Sequence, residues 1–223
     1  MESSGTLEKP KLVALISGSG SNLQAIIDQV GNGTIDAEIS LVISNNPEAK
    51  GLQRASAAGI ATAVIDHNDY DSRTSFDREL MRHIDAEQPQ LVILAGFMRI
   101  LTPDFTNHYA RRMLNIHPSL LPEFKGVDTH ARAIAASASQ HGASVHFVTS
   151  ELDGGPLVIQ TIVKVQNDDT ASALAARVLQ QEHIIYPIAI KWFCEGRLSL
   201  DNNLVRLDKQ PLPAQGIAHH AVT

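Results

Sequence analysis

The chain has 223 residues, of which 43% are hydrophobic and 4% aromatic, and its 18 basic and 24 acidic side chains give a net charge of −6. This length fits one domain or at most two, and an apolar content close to the globular average argues against disordered, collagen-like and low-complexity chains. The acidic balance argues against a nucleic-acid partner, because binding to a phosphate backbone requires a basic stripe on the protein surface.

In the first half of the chain, short apolar runs alternate with helical patterns from residue 11 onward. This alternation is typical of βαβ units and of a largely parallel sheet that is covered by helices on both faces. Aliphatic and β-branched runs bounded by Gly, Asn, Asp or Pro predict strands over residues 11–17, 37–44, 62–65 and 90–95. Helices are predicted between them over residues 22–31, 47–58 and 72–86.

The pattern changes after residue 110, where a strand over residues 112–116 meets Pro118 and a long loop that we expect to be functional. Further predictions are a helix over residues 130–139, strands over 144–149 and 157–165 that pair antiparallel, and a helix over 170–194. The sequence therefore predicts one α/β domain over residues 10–207, with a mostly parallel sheet, an antiparallel strand toward the C-terminal half and helices on both faces. Residues 1–9 and 211–223 are expected to be loosely ordered.

Features that are absent from the sequence indicate the cellular compartment of the protein. The N-terminal residues do not form a positive segment followed by an apolar one, so they do not resemble a secretory signal. No apolar run approaches the ~20 residues that a bilayer-spanning helix needs. A single cysteine, Cys194, has no partner for an internal disulfide, which favours a reducing compartment. We therefore expect a cytoplasmic protein that does not bind membranes.

A glycine-rich turn links the first predicted strand to the first helix, at residues 18–22 (GSGSN). The start of a helix presents free N–H groups and a positive dipole end, so an anion could bind there. A dinucleotide fingerprint would need a glycine where Leu23 stands, and a nucleotide P-loop would need a Lys-Ser/Thr pair. A phosphate site and a tight turn capped by Ser21 and Asn22 remain equally good interpretations of this segment.

The predicted strand over residues 112–116 contains Asn115 and is followed directly by His117, and alternation places these two side chains on one face. Ligand sites of open parallel sheets lie beyond the carboxyl ends of strands, which suits a catalytic imidazole. Asp153, in the turn LDGGP, could face His117, where it would favour the charged ring and fix its orientation. A structural histidine and a solvated turn are the alternatives. We expect His141 and His146 to be structural rather than metal ligands, and no metal site is predicted.

Five motifs together resemble the folate-dependent phosphoribosylglycinamide formyltransferase family, over about residues 11–206. The family's enzymes are also called glycinamide ribonucleotide transformylases. The motifs occur in the family's order: ISGSGSNLQAI at 16–26, LAGFMRIL at 94–101, LNIHPSLLP at 114–122, GASVHFVT at 142–149 and LDGGP at 152–156. The resemblance implies a Rossmann-like formyltransferase fold and a cytoplasmic enzyme of purine biosynthesis and one-carbon metabolism. It would transfer the formyl group of 10-formyltetrahydrofolate to the amine of glycinamide ribonucleotide, without a metal, as a monomer or homodimer.

The resemblance also implies roles for individual residues. The ribonucleotide phosphate would bind at Gly20, Ser21 and Asn22, and the ribose hydroxyls at Glu182. Residues expected to bind 10-formyltetrahydrofolate are Arg73, Met98, Arg99, Ile100, Leu101, Asn115, Thr149, Ser150, Glu151, Leu152 and Asp153. Ser19, Lys125 and Ser150 depart from residues frequent in the family. These departures bear on loop mobility and folate affinity more than on the reaction.

Amine attack on a formamide carbon creates an oxyanion and a cationic nitrogen. The resemblance makes Asn115, His117 and Asp153 the catalytic residues: the first two would stabilise the oxyanion. Asp153 would keep His117 protonated and pass the amine proton, through an ordered water, to the departing folate nitrogen.

Three alternative functions share part of these motifs. Formyltetrahydrofolate hydrolase has the same Asn, His and Asp constellation but carries an N-terminal regulatory domain, for which only residues 1–9 would be available here. Methionyl-tRNA formyltransferase needs a C-terminal RNA-binding domain and a basic surface. A non-catalytic nucleotide- or folate-binding module would not require Asn115, His117 and Asp153 together.

Overall fold

Residues 8–220 are described by a computed structural model, in which strands and helices alternate along the chain. A short 3₁₀ helix at His67–Asp69 precedes the helix at Arg73–Glu87. The elements are β1 (Lys11–Ile16), α1 (Ser21–Gly31), β2 (Glu38–Ser44), α2 (Lys50–Ala57), β3 (Ala61–Val64), α3 (Arg73–Glu87), β4 (Leu91–Leu94), α4 (Pro103–His108), β5 (Met113–His117), α5 (Thr129–Ala135), β6 (Gln140–Phe147), β7 (Leu157–Lys164), α6 (Ala171–Cys194), β8 (Leu198–Asp201), β9 (Leu204–Leu207), β10 (Gln210–Pro211) and β11 (Ile217–His219).

The main sheet has the strand order β11-β7-β6-β5-β4-β1-β2-β3. Strands β1 to β5 pair in parallel, and β6 pairs antiparallel with both β5 and β7. The predicted α/β class, the parallel first half and the antiparallel pairing of the two later strands are confirmed. Because β1, β4 and β5 are adjacent and parallel, their carboxyl ends meet at one edge of the sheet, where open α/β sheets bind ligands.

Alternating side chains of β1 divide the core into two layers. Leu12, Ala14 and Ile16 belong to a cluster on one face of the sheet that includes the buried residues of α1 and α6. Val13 and Leu15 belong to a second cluster, with residues of α3 and α4. A strand that is apolar on both faces is expected in a parallel sheet covered by helices on each side, so the sheet is sandwiched as predicted.

Strand β6 begins at Gln140, four residues before the predicted strand, and ends at Phe147. From the sequence alone, Gly142 suggests a loop. In the fold it lies within the strand, at a position where only glycine fits. A Cβ at this position would lie 1.9 Å from the Thr161 carbonyl oxygen of β7.

Helix α4 and the three-stranded sheet of β8, β9 and β10 were not predicted.

The C-terminal segment is more ordered than the sequence predicts. Residues Ile217–His219 form β11, which pairs in parallel with β7 and extends the main sheet. The expectation of a loose tail from residue 211 is therefore wrong for this strand. Gly216, at φ 71°, lets the chain approach β7, where a Cβ would lie 2.7 Å from the Val158 carbonyl carbon, and the pairing satisfies backbone groups of an otherwise open edge. Residues 1–7 and 221–223 lie outside the described residues.

Candidate active site

Helix α1 begins at Ser21, directly after β1 and its glycine-rich turn. Gly20 precedes the helix with φ 69°, and no side chain in the described part of the chain caps the helix start. The structure therefore does not show the turn capped by Ser21 and Asn22. The N–H groups of the first helical turn do not donate to a capping side chain. A Cβ on Gly20 would lie 2.5 Å from the Gly51 Cα of α2, so this close approach of two backbones requires glycine.

Glu182 of α6 lies at the start of α1, although it is distant in sequence. Asn22 Nδ2 donates a hydrogen bond of 2.6 Å to Glu182 Oε2. Glu182 is only 6% exposed, and burial raises the pKa of its carboxyl group while the hydrogen bond from Asn22 opposes that rise. Among residues 8–220, Asn22 Oδ1 is one of three buried side-chain atoms without a partner. The fold thus brings together Gly20, Ser21, Asn22 and Glu182.

His117 and Asp153 form a buried pair, with 3.5 Å between His117 Nδ1 and Asp153 Oδ2 and less than a tenth of either side chain exposed. His117 Nε2 lies 3.0 Å from the Phe124 carbonyl oxygen. A carbonyl only accepts hydrogen bonds, so Nε2 carries a proton. The Gly126 N–H donates a 2.8 Å bond to Asp153 Oδ2, and this bond holds the loop after β5 against the carboxylate.

His146, which the sequence indicated as structural, contacts two of the predicted catalytic residues. Asn115 Nδ2 lies 3.1 Å from His146 Nε2, and Asp153 Oδ1 lies 3.8 Å from the same nitrogen. His146 Nδ1 lies 2.9 Å from the Phe147 carbonyl oxygen and so must donate to it. Burial lowers the pKa of His146 to about 4, so near neutral pH its Nε2 accepts from the Asn115 amide.

The antiparallel register explains this contact. Asn115 is the pairing partner of His146, and His117 pairs with Ser144. The end of β6 therefore lies beside the start of β5, and the turn over residues 149–155 carries Asp153 to His117. The sequence does not specify the register between β5 and β6. Knowledge of that register would have identified His146 as a neighbour of Asn115.

The segment after β4 carries the apolar side chains expected at the folate site. Met98 is 73% exposed and Ile100 52% exposed, and Leu152, on the Asp153 turn, is 52% exposed. Leu101 instead packs against the core. Thr102 N–H donates a 2.7 Å bond to the buried Asp77, which fixes the end of this segment on α3.

The two predicted folate arginines lie toward α3. The Arg99 guanidinium is 5.8 Å from the centre of the Phe76 ring. Arg73 is the first residue of α3 and is exposed. Neither arginine is in contact with Asp153 among the hydrogen bonds and ion pairs of the described residues, so the structure does not bring Arg73 and Arg99 together with the buried pair.

The turn that bears Asp153 forms one wall of a cleft of about 840 Å³, which Thr149, Ser150 and Glu151 also line. Lys125 lies in the same cleft, and its Nζ is 2.7 Å from Glu151 Oε1. This ion pair joins the loop after β5 to the turn after β6. Both partners are partly exposed, so the pair contributes little stability.

Two further observations concern residues 8–220. No group of three or more His, Cys, Asp and Glu side chains in that range is arranged to hold a metal ion. No helix formed by those residues combines the length and the apolar character needed to cross a bilayer.

Comparisons with known proteins agree with this geometry. The formyl transferase family profile matches residues 10–190. The phosphoribosylglycinamide formyltransferase of Escherichia coli is 52% identical over 207 residues, which is 93% of this chain and 98% of that protein. A solved phosphoribosylglycinamide formyltransferase from Coxiella burnetii is 49% identical, with a TM-score of 0.91 over 95% of this chain and 99% of that one. A formyltetrahydrofolate deformylase from Pseudomonas putida is 26% identical, with a TM-score of 0.80 over 90% of this chain and 70% of its own.

Proposed function

This chain belongs to the formyl transferase family, and on that premise we propose that it transfers the formyl group of 10-formyltetrahydrofolate to the amine of glycinamide ribonucleotide in purine biosynthesis. Relatives named phosphoribosylglycinamide formyltransferase match nearly all of it. The observation that carries the proposal is the cluster of Asn115, His117, Asp153 and His146 at the end of β5, on the sheet edge where β4 and β1 also end.

The nucleotide is assigned to the start of α1. Its phosphate would accept from the uncapped N–H groups of residues 20–22, aided by the helix dipole. Glu182, buried next to Asn22, would accept from the ribose hydroxyls. On this assignment the glycinamide amine would extend along the sheet edge toward His117, which lies at the carboxyl end of β5.

The folate would bind at the exposed apolar residues after β4 and on the turn that bears Asp153. Exposed Met98, Ile100 and Leu152 are large apolar side chains that water solvates poorly, and an aromatic pterin would cover them. Backbone groups of residues 98–101 and 149–153 would hydrogen-bond the heterocycle. Arg73 and Arg99 are positive charges that suit the folate's carboxylates.

The chemistry requires an oxyanion site and a proton acceptor. Asn115 uses one amide N–H for His146, so its second N–H is available to the formyl oxygen. His117 would supply the other donor. Its Nε2 proton now goes to the Phe124 carbonyl, and we propose that the loop after β5 withdraws this carbonyl when both substrates bind. Asp153 would stabilise the His117 imidazolium and relay the amine proton toward the folate nitrogen.

A direct assay tests the function. Purified protein is mixed with 10-formyltetrahydrofolate in the presence and absence of glycinamide ribonucleotide, and tetrahydrofolate release is followed. Release that requires the nucleotide, together with formation of the formylated nucleotide, is the expected result. If tetrahydrofolate is released at the same rate without the nucleotide, the chain is a hydrolase, like its distant deformylase neighbour. If the protein binds its ligands but releases no tetrahydrofolate, it is a non-catalytic binding module.

We expect Glu182→Gln to raise the KM for glycinamide ribonucleotide about tenfold or more, with little change in kcat. The glutamine keeps the size of the side chain and can still accept from Asn22, whereas the charged acceptor for ribose is lost. Gln180→Ala, on the exposed side of the same helix, is the matched control. An unchanged nucleotide KM in Glu182→Gln would remove Glu182 from the ribose site.

We expect His146→Leu to lower kcat about tenfold, because Asn115 loses the acceptor that orients its amide. His146→Gln, which keeps an acceptor, should restore part of this loss. The pKa of His146 lies near 4, so its neutral form accepts above that pH and is lost as the pH falls through 4. The kcat profile of His146→Leu between pH 6 and pH 8 should therefore keep the native shape. A shifted profile there would show that His146 itself titrates during turnover.

A further inference from the structure

The three carbonyl groups that precede Gly20 all accept hydrogen bonds from α2 or from the segment that leads into it. Asn46 Nδ2 donates to the Ser17 carbonyl at 3.4 Å and the Gly51 N–H to the Gly18 carbonyl at 3.1 Å. Arg54 Nε donates to the Ser19 carbonyl at 2.9 Å. Because the carbonyl oxygens face α2, the N–H groups that follow can face the opposite side, where a loop of successive N–H groups forms a nest for an anion.

Arg54 is the one charged side chain among these three donors, and it holds both the turn and the helix. Its Nη1 donates a 3.3 Å bond to Gln24 Oε1, in the second turn of α1. The guanidinium group therefore spans from the last carbonyl of the turn to the body of α1. Helix α2 can come this close to the turn because Gly51 faces Gly20. A Cβ on Gly51 would lie 2.5 Å from Ile16 Cδ1 and 3.2 Å from Gly20 Cα.

Among residues 8–220, two buried polar atoms near this place have no hydrogen-bond partner. They are Asn22 Oδ1, on a residue that is 9% exposed at the second position of α1, and His183 Nε2. Burial and the nearby Arg54 charge both lower the pKa of His183, which favours its neutral form. Arg54 is the positive charge that hydrogen-bonds to this end of α1 and to the turn before it.

We propose that Arg54 is a positioning residue for the phosphate of the nucleotide substrate. It fixes the Ser19 carbonyl so that the following N–H groups face the anion, and it sets a permanent positive charge beside them. Arg54 thereby makes the enzyme selective for a phosphorylated substrate over the same nucleoside without phosphate. This inference rests on the proposed function only in taking the phosphate to be that of glycinamide ribonucleotide.

The first test measures binding and does not depend on formyl transfer. Ribose 5-phosphate and ribose are titrated calorimetrically into the full-length protein, Arg54→Gln and Arg54→Lys. We expect Arg54→Gln to weaken ribose 5-phosphate binding about tenfold or more, with ribose binding unchanged and Arg54→Lys intermediate. The native affinity should fall from 50 to 200 mM salt more steeply than that of Arg54→Gln, because screening acts on the added charge.

Kinetics then separate positioning from general damage. In Arg54→Gln the KM for glycinamide ribonucleotide should rise about tenfold, while kcat and the folate KM stay within about twofold. Gln24→Ala removes only the second anchor of Arg54 and should have a smaller effect, and Arg82→Gln, which pairs with Glu79 on α3, should have none. Unchanged ribose 5-phosphate binding, or equal losses for phosphate and ribose, would overturn the inference. If no formyl transfer occurs but ribose 5-phosphate binding depends on Arg54, the proposed function fails and this inference stands.

Discussion

Replacing Asp153 by Asn is expected to reduce kcat by about a hundredfold or more, while the affinity for the nucleotide changes little. The carboxylate lies 3.5 Å from His117 Nδ1 and 3.8 Å from His146 Nε2. Asparagine keeps the shape but cannot accept a proton at neutral pH or balance the His117 imidazolium. Acid–base groups of this kind typically contribute a factor of 10² to 10⁴ to the rate.

The Asp153→Asn variant should fold normally. Asp153 lies at φ 48°, and asparagine tolerates this left-handed conformation as well as aspartate does. The amide oxygen of the asparagine can still accept from the Gly126 N–H. Asp208→Asn is the matched control, since it makes the same change at another Asp with positive φ, removes an exposed ion pair with Arg197 and should leave kcat nearly unchanged. A turnover number close to the native one in Asp153→Asn would remove Asp153 from the mechanism.

The parallel half of the fold could be predicted because its signals are local. The runs that form β1 and β2 are apolar on both faces, and Asn, Gly and Pro mark the connections. The strand β6 could not be predicted in full, because Gln140, His141 and Gly142 look polar and flexible in sequence. Their place in the strand is decided by the adjacent backbone of β7, which is a tertiary effect.

The residues of the candidate site likewise divide into those that local sequence signals predict and those that depend on tertiary structure. Asn115 and His117 could be placed on one face from strand alternation alone, and their nearness to Asp153 was a reasonable expectation from the turn chemistry. Glu182 is different, since it lies on a long helix 160 residues from Asn22, and only the family resemblance pointed to it. His146 was missed because its role depends on a strand register. Strand β11 was missed because its pairing with β7 depends on an open sheet edge and on Gly216.

The second large effect is expected for His117→Ala, which should lower kcat by at least about a hundredfold, since the loss of one oxyanion donor typically costs ~3 kcal/mol of barrier. His117→Gln serves as a second variant, because it leaves no large cavity at this buried position. His108→Gln is the control, because His108 forms an exposed pair with Asp85. Kd values for the nucleotide, measured calorimetrically, should stay close to the native value in all three variants.

If His117 and Asp153 act as one unit, their effects on kcat should not add. The double variant His117→Ala/Asp153→Asn is expected to be about as slow as the slower single variant, because removing either partner already deprives the oxyanion of a charged imidazolium. The buried contact between the two side chains is the physical reason for this coupling. Multiplied losses in the double variant would mean that the imidazole and the carboxylate act at separate steps, and Asp153 would then serve the proton transfer without supporting His117.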